Sequence, residues 1–463
     1  MTSLEQHTHH RAVEDRQADS VLKPDHRLRA QRRLFRQPGF SRMSRPTPLP
    51  PAQRWRLAAT AAVFAVALAL AAVLTPSAQA QTYSVIYNFS GGDGGAQPMA
   101  GLTFDGVSSL YGTANAGGVT GGSCGSNGCG MVYRLTNGIS GWSLSPLYEF
   151  TGGADGQNPQ TANVVFGPNG ALYSSTFLGG GGCNDLGCGT IFKLFPSRTG
   201  WVETVIHRFG GLDGAGPVGS LVFDHLGNVD GATNEGGIRN GGVVYQLNAA
   251  GGYREFVLFH PYGYPGSSVT IDHAGDLYGT TFNAGANDFG SVYKLTSNGI
   301  GFTSTELYDF TNTTDGEYPK AGVILDQAGN LYGATSTGGS GHGGTIFKLA
   351  FSNGGYTFST IYSFRSPSNG QQLISGPIGN LTIDGAGNLY GTTLVDGAHG
   401  YGSVFKLTPS NGSWTYTSLH DFTNGSDGGL PFGNLIIDSH GTIYGTASTG
   451  GASGLGVVFQ ITP

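Results

Sequence analysis

One unit recurs seven times between Thr82 and Pro463, and any fold for this chain must accommodate that repetition. The fifth copy reads Leu331-Tyr332-Gly333-Ala334-Thr335, then a glycine-rich loop, then Gly344-Thr345-Ile346-Phe347-Lys348-Leu349. Its tyrosine recurs at Tyr111, Tyr173, Tyr278, Tyr390 and Tyr444, with Asp230 standing in the third copy. The later aromatic recurs at Tyr133, Phe192, Tyr245, Tyr293, Phe405 and Phe459, and successive copies are 48 to 62 residues apart. Each copy holds four short runs of strand type, in the fifth Ala321–Asp326, Asn330–Thr335, Thr345–Ala350 and Thr357–Phe364. The first pair is joined by Asp326-Gln327-Ala328-Gly329 and the last by Asn353-Gly354-Gly355, both hairpin turns by composition.

Four antiparallel strands per copy predict an all-β chain, a seven-bladed β-propeller of four-stranded blades. An open solenoid is the rival, and it requires capping repeats at its ends. The ends favour a ring. Tyr83–Phe89 matches the outermost run of the other copies, while Gly456–Pro463 matches their third run and has no fourth behind it. The N-terminal strand is therefore expected to complete the last blade and remove an open sheet edge. Composition agrees, because the 81 glycines follow no period of three and aromatic residues make up 11% of the chain.

The unit D-G-x-x-P-x-A-G-L-x-x-D-x-x-G-N-L-Y-G-T-T-x-x-G-G, followed by G-x-V-F-K-L-T, resembles the GloVer tandem repeat of exported bacterial proteins. The resemblance runs from Thr82 to Pro463 and is closest in copies five to seven, as in Gly379-Asn380-Leu381-Thr382-Ile383-Asp384 leading to Tyr390-Gly391-Thr392-Thr393. The third copy departs with Val229-Asp230-Gly231 in place of L-Y-G, and the fourth with Phe259-His260-Pro261-Tyr262 in place of Y-x-F. The resemblance implies a propeller-like fold and export. It brings no established activity, cofactor or catalytic residue, and a C-terminal sorting tail is not expected here.

Three regions follow: a disordered basic stretch over 1–56, a signal segment over 57–80 and the propeller over 81–463. Arg54 and Arg56 precede an apolar run from Leu57 to Leu74, and Thr75-Pro76-Ser77-Ala78-Gln79-Ala80 supplies a small-residue cleavage site. Cleavage after Ala80 predicts a secreted, periplasmic or cell-surface protein. An uncleaved N-terminal membrane anchor is the alternative. Met43 opens a conventional short leader, so translation is expected to start there. Residues 1–80 hold twelve Lys/Arg and five Asp/Glu, which leaves eleven basic and twenty-four acidic residues for the rest. So acidic a body lacks the footprint of a nucleic-acid binder and is ill matched to anionic lipid. Membrane contact is expected through the leader alone.

The four cysteines form two C-x4-C pairs, Cys124/Cys129 and Cys183/Cys188, in equivalent loops of neighbouring copies. Export favours a disulfide within each loop. A four-cysteine zinc site bridging two blades, or free thiols, is the alternative.

With strands lettered a to d from the axis outward, the d–a and b–c loops are long and share one face, where binding is expected. The Asp-Gly pairs beginning at Asp93, Asp155, Asp213, Asp315 and Asp427 are turn chemistry on this reading. Candidate ligand-binding residues are those that break the repeat: Asp230, Glu235 and Arg239, with His260, Tyr262 and Tyr264 from the neighbouring d–a loop. Carboxylates beside aromatic rings would suit a sugar. No nucleophile elbow, H-E-x-x-H or P-loop is present, and no catalytic residue, metal or cofactor is expected. The favoured function is a binding or surface-interaction module for an unknown partner, such as an extracellular glycan or surface protein. A polysaccharide-active enzyme and a purely structural extracellular protein are the alternatives.

Overall fold

The structure is a computed structural model that describes residues 81–183, 186–298, 301–366 and 376–463. The expected leader, its cleavage site and Met43 all lie outside the described residues. Seven four-stranded antiparallel sheets form a ring, the propeller that the repeats predict. Blades 1 to 7 are numbered here by their b strands: Ser109–Ala114, Leu172–Thr176, Val229–Glu235, Leu277–Thr281, Leu331–Thr335, Leu389–Thr393 and Ile443–Ala447.

Local chemistry makes the hairpins. In blade 5 the a–b turn is capped by Asp326, whose Oδ1 accepts the N–H groups of Ala328 and Asn330, each at 2.9 Å. Gly329 takes the positive φ of 81° that the turn requires. The c–d turn places Asn353 and Gly354 at φ 52° and 77°, the pair of left-handed residues of a type I′ hairpin. The third strand, His342–Ser352, and the fourth, Gly355–Arg365, are longer than the sequence suggested.

The innermost strands depart from expectation. Only Ile324–Leu325 pairs within blade 5, although Ala321–Asp326 is strand-like in composition. The remaining polar groups face other blades. Ala321 gives its carbonyl to the Thr280 hydroxyl of blade 4 at 2.8 Å, and the Gly322 N–H donates to Asn380 Oδ1 of blade 6 at 2.8 Å. Thr113 and Thr392 likewise reach carbonyls in the following blade, Ala162 at 3.4 Å and Gly433 at 3.2 Å. Near the axis the chain exchanges ladder bonds for bonds around the ring. Blade 3 is the exception, with a long inner strand, Ala215–Phe223, that shifts register between Val218 and Val222.

The core lies between blades. In every blade but blade 2, where Ser174 stands, the strand-c aromatic covers a strand-b glycine, so closely in blade 5 that a Cβ on Gly333 would lie 2.4 Å from Phe347 Cζ. A phenylalanine ending each outer strand then meets the next blade edge-on: Phe150 on Phe192 at 5.1 Å, Phe310 on Phe347 at 5.3 Å and Phe422 on Phe459 at 5.4 Å. Blade 3 ends its outer strand differently. Pro261 is buried near the end of that strand, and Phe259 tilts against Tyr293 at 5.3 Å instead.

The ring closes as expected. Thr82–Asn88 pairs antiparallel with Val457–Thr462, so three C-terminal strands and one N-terminal strand make blade 7. Tyr83 stacks on His420 at 3.6 Å, and its hydroxyl donates to the Asp427 carbonyl. Thr446 carries the closure to the axis by donating to the Ala100 carbonyl at 2.7 Å. Disulfides join Cys124 to Cys129 and Cys183 to Cys188, so neither pair is a zinc ligand set.

Candidate functional site: an axial funnel with an amide floor

The residue just before each inner-strand leucine or valine points toward the axis, and in five blades it is polar: Asn163, Ser220, Ser268, Asn380 and Asn434. These groups join across the ring. Asn163 Nδ2 donates to Asn434 Oδ1 at 2.6 Å, in front of blade 1, where the equivalent residue is Gly101. A Cβ on Gly101 would lie 2.3 Å from that same oxygen. Asn380 Nδ2 donates to Ser268 Oγ at 3.1 Å across Gly322 of blade 5, and Ser268 Oγ accepts the Ser220 N–H at 2.7 Å. Two glycines thus make room for a polar collar of amides and hydroxyls.

Above this floor opens a funnel of about 290 Å³. Its walls come from residues where the d–a loops enter the inner strands and where strand b leaves for the b–c loop. It therefore opens on the long-loop face. Met99, Val218, Ile378 and Phe432 occupy one column of the repeat, and Lys320 stands in that column in blade 5. Lys320 Nζ lies 5.2 Å from the centroid of Phe282, and burial lowers its pKa from the ordinary lysine value. Among the described residues no carboxylate pairs with it. Beside it a recess of about 300 Å³ is lined by Asn234, Glu235, Tyr264 and Phe282.

The repeat-breaking residues separate into three places. Glu235 and Tyr264 line the recess next to Lys320. Arg239 lies over the Tyr262 ring at 4.0 Å on the same face, and both are exposed; His260 is half-buried there, with its Nδ1 unpartnered among the described residues. Asp230 is elsewhere. It is fully buried and lines a cavity of about 480 Å³ with Asp224, Asn228, Asn248 and Phe302, which lie in or flank a–b and c–d turns. That cavity opens on the opposite face, so Asp230 shares no pocket with Glu235 or His260.

The Asp230 cavity has a local origin. In blades 4, 5 and 6 the tyrosine at this position donates to the strand-a aspartate, as Tyr278 does to Asp272 at 3.0 Å. The strand-c lysine lies over its ring, as Lys294 does at 5.3 Å. Blade 3 has neither group. Gln246 Nε2 donates to Asp230 Oδ1 at 2.9 Å, and Asp230 Oδ2 is left without a partner among the described residues. Burial pushes the Asp230 carboxyl up to about 7, with Asp224 adding to the rise and the Gln246 bond opposing it.

The Asp-Gly aspartates are loop architecture. Asp315 accepts from the Thr311 N–H at 2.8 Å and the Tyr308 hydroxyl at 3.0 Å, and Asp155 and Asp427 repeat the arrangement on Thr151 and Thr423. Lys320 was missed in the sequence. Its signal was available, as the one charge in a column otherwise holding Met99, Thr161, Val218, Gly266, Ile378 and Phe432.

No curated protein matches the sequence. Among solved structures, a gluconolactonase of Xanthomonas campestris is 13% identical, covering 63% of this chain and 82% of its own at a TM-score of 0.38. A glucose dehydrogenase is 13% identical over 82% of this chain and 99% of its own, with a TM-score of 0.44. A chain of a nidogen–laminin complex is 16% identical over 56% of this chain and 83% of its own, with a TM-score of 0.37. Identities this low carry no chemistry from one chain to another. Residues 259–459, from the end of blade 3 into the last strand of blade 7, match the model described as the Gloeobacter/Verrucomicrobia repeat. That match supports reading the repeated units as copies of the Gloeobacter/Verrucomicrobia repeat.

Proposed function

We propose that this chain is an exported binding module that takes an acidic carbohydrate in the axial funnel. The observation that carries the reading is the lining itself: an amide floor, aromatic walls and an ammonium group that no carboxylate pairs with among the described residues. Amides offer both donors and acceptors to hydroxyl groups, aromatic faces accept the apolar faces of sugar rings, and Lys320 calls for a carboxylate. The expected leader and the two disulfides fit an extracellular life. A general acid/base pair is not assembled from the candidate carboxylates, since Asp230 and Glu235 line pockets on opposite faces. Binding without turnover is the reading that remains.

The test is a glycan array comparing glucuronate-containing oligosaccharides with their neutral counterparts, paired with analysis for released products. Wild-type protein should prefer the acidic sugars at least tenfold and release nothing. Lys320→Met, which places in blade 5 the residue that Met99 supplies in blade 1, should lose the preference while melting normally. Equal binding of acidic and neutral sugars, or an unchanged preference in the variant, would overturn the reading.

A further inference from the structure

The outer rim of the ring carries a second cluster unrelated to the funnel. Two residues before the buried phenylalanine, each outer strand except that of blade 3 presents a tyrosine or histidine to the next blade. At three junctions it meets a ring there: Tyr308 on Phe358 at 3.9 Å, Tyr362 on Tyr416 at 4.6 Å and His420 on Tyr83 at 3.6 Å. Between blades 2 and 3 the partner is instead Glu255, opposite His207.

Asp213 from the intervening loop completes a trio. His207 Nε2 lies 3.2 Å from Asp213 Oδ2 and 3.5 Å from Glu255 Oε2, and all three atoms lie within 4.8 Å of one another. One imidazole cannot neutralise two carboxylates, and no lysine or arginine pairs with either among the described residues. The Glu255 side chain is 9% exposed, and its Oε1 has no partner among the described residues. A carboxylate so placed is costly unless it takes up a proton or a cation completes it. The separations are those left when nitrogen and oxygen ligands each stand about 2.0–2.2 Å from one ion.

We propose that His207, Asp213 and Glu255 bind one divalent transition-metal ion of the zinc class and so fasten blade 2 to blade 3. An imidazole in the set selects against calcium and magnesium, which take oxygen ligands. Supporting contacts orient the ligands: Asp213 Oδ1 accepts the Gly210 N–H at 2.6 Å, and the His207 ring packs edge-on to Phe209 at 4.7 Å. His207 and Asp213 are 16% and 30% exposed, which leaves a water-accessible fourth position.

Two sibling junctions serve as internal controls. His420 contacts Asp427 at 3.1 Å but faces the Tyr83 ring in place of a carboxylate. Tyr148 donates to Asp155 at 3.1 Å, with Glu203 at the position of Glu255 but a phenol in place of the imidazole.

The experiment strips the full chain with chelator, reloads it with Zn²⁺ and measures metal per chain by mass spectrometry, with calorimetry for affinity. Wild-type protein should take up one equivalent. His207→Tyr, which reproduces the groups of the Tyr148 junction, and Glu255→Gln should each weaken binding at least tenfold. His420→Tyr should leave it unchanged. A Co²⁺ titration should give the visible bands of a nitrogen- and oxygen-ligated ion in wild type and lose them in His207→Tyr. Failure of wild-type protein to take up one equivalent, or uptake undiminished in His207→Tyr, would overturn the proposal even if Glu255→Gln proves unable to fold.

Discussion

Asp230 shows how much one residue can change inside a repeated frame. A carboxyl whose folded-state pKa is raised binds its proton more readily folded than unfolded. Its contribution to stability is then full below the unfolded value, about 3.9, and is lost as pH rises through the folded value. With Asp230 raised to about 7, thermal melts of wild-type protein should show stability falling between about pH 4 and 7. Asp230→Asn should flatten that part of the profile; a variant profile parallel to wild type would show that Asp230 is not its source. Asp230→Tyr should restore the phenol found in the other blades, with its hydroxyl reaching Asp224 as Tyr278 reaches Asp272. Removing a buried acceptor that lacks a partner should stabilise the protein at neutral pH by about 1–3 kcal/mol. The break at Asp230 was plain in the sequence because six copies disagree with it. Which face it opens on was not, because strand direction inside a blade decides that.

At the scale of the element, the inner strands are where sequence and structure part. Hairpin turns such as Asp326-to-Gly329 and Asn353-Gly354 are local chemistry, and their strands could be read one copy at a time. Ala321 and Gly322 could not, because their hydrogen bonds go to Thr280 and Asn380 in other blades. The collar was hidden for the same reason. Asn163 and Asn434 meet only once seven copies are wrapped around an axis, and their meeting depends on a residue that is absent, the side chain of Gly101. Gly101→Ala would set a Cβ 2.6 Å from the Asn434 carbonyl oxygen, which cannot retreat without moving a blade. A loss of about 1–3 kcal/mol is expected from such overpacking. Gly385→Ala meets nothing within 4 Å and should be nearly neutral, so equal losses in urea unfolding would show that the axis is not tightly packed.

For the whole molecule, closure is the organising fact, and it was legible because the two termini carry complementary fragments of one unit. Deleting Thr82–Asn88 should expose the edge of Val457–Thr462 and strip the Tyr83 ring from His420 and Phe459. The melting temperature should fall on the order of 10 °C or more, with a broader transition as the ring becomes an open array. A melting curve that keeps its midpoint and sharpness would mean the last blade stands on three strands. The pairing also has a temporal side. Thr82 and Thr462 are partners 380 residues apart, so Thr82–Asn88 finds its place only after the rest of the ring has been synthesised. Until then it is a free edge beside an incomplete sheet, and the longest loop closure in the chain is the final one to form. The fold therefore acts as a check on completeness: a chain truncated before Val457 can build six blades but has no surface on which to lay down Thr82–Asn88.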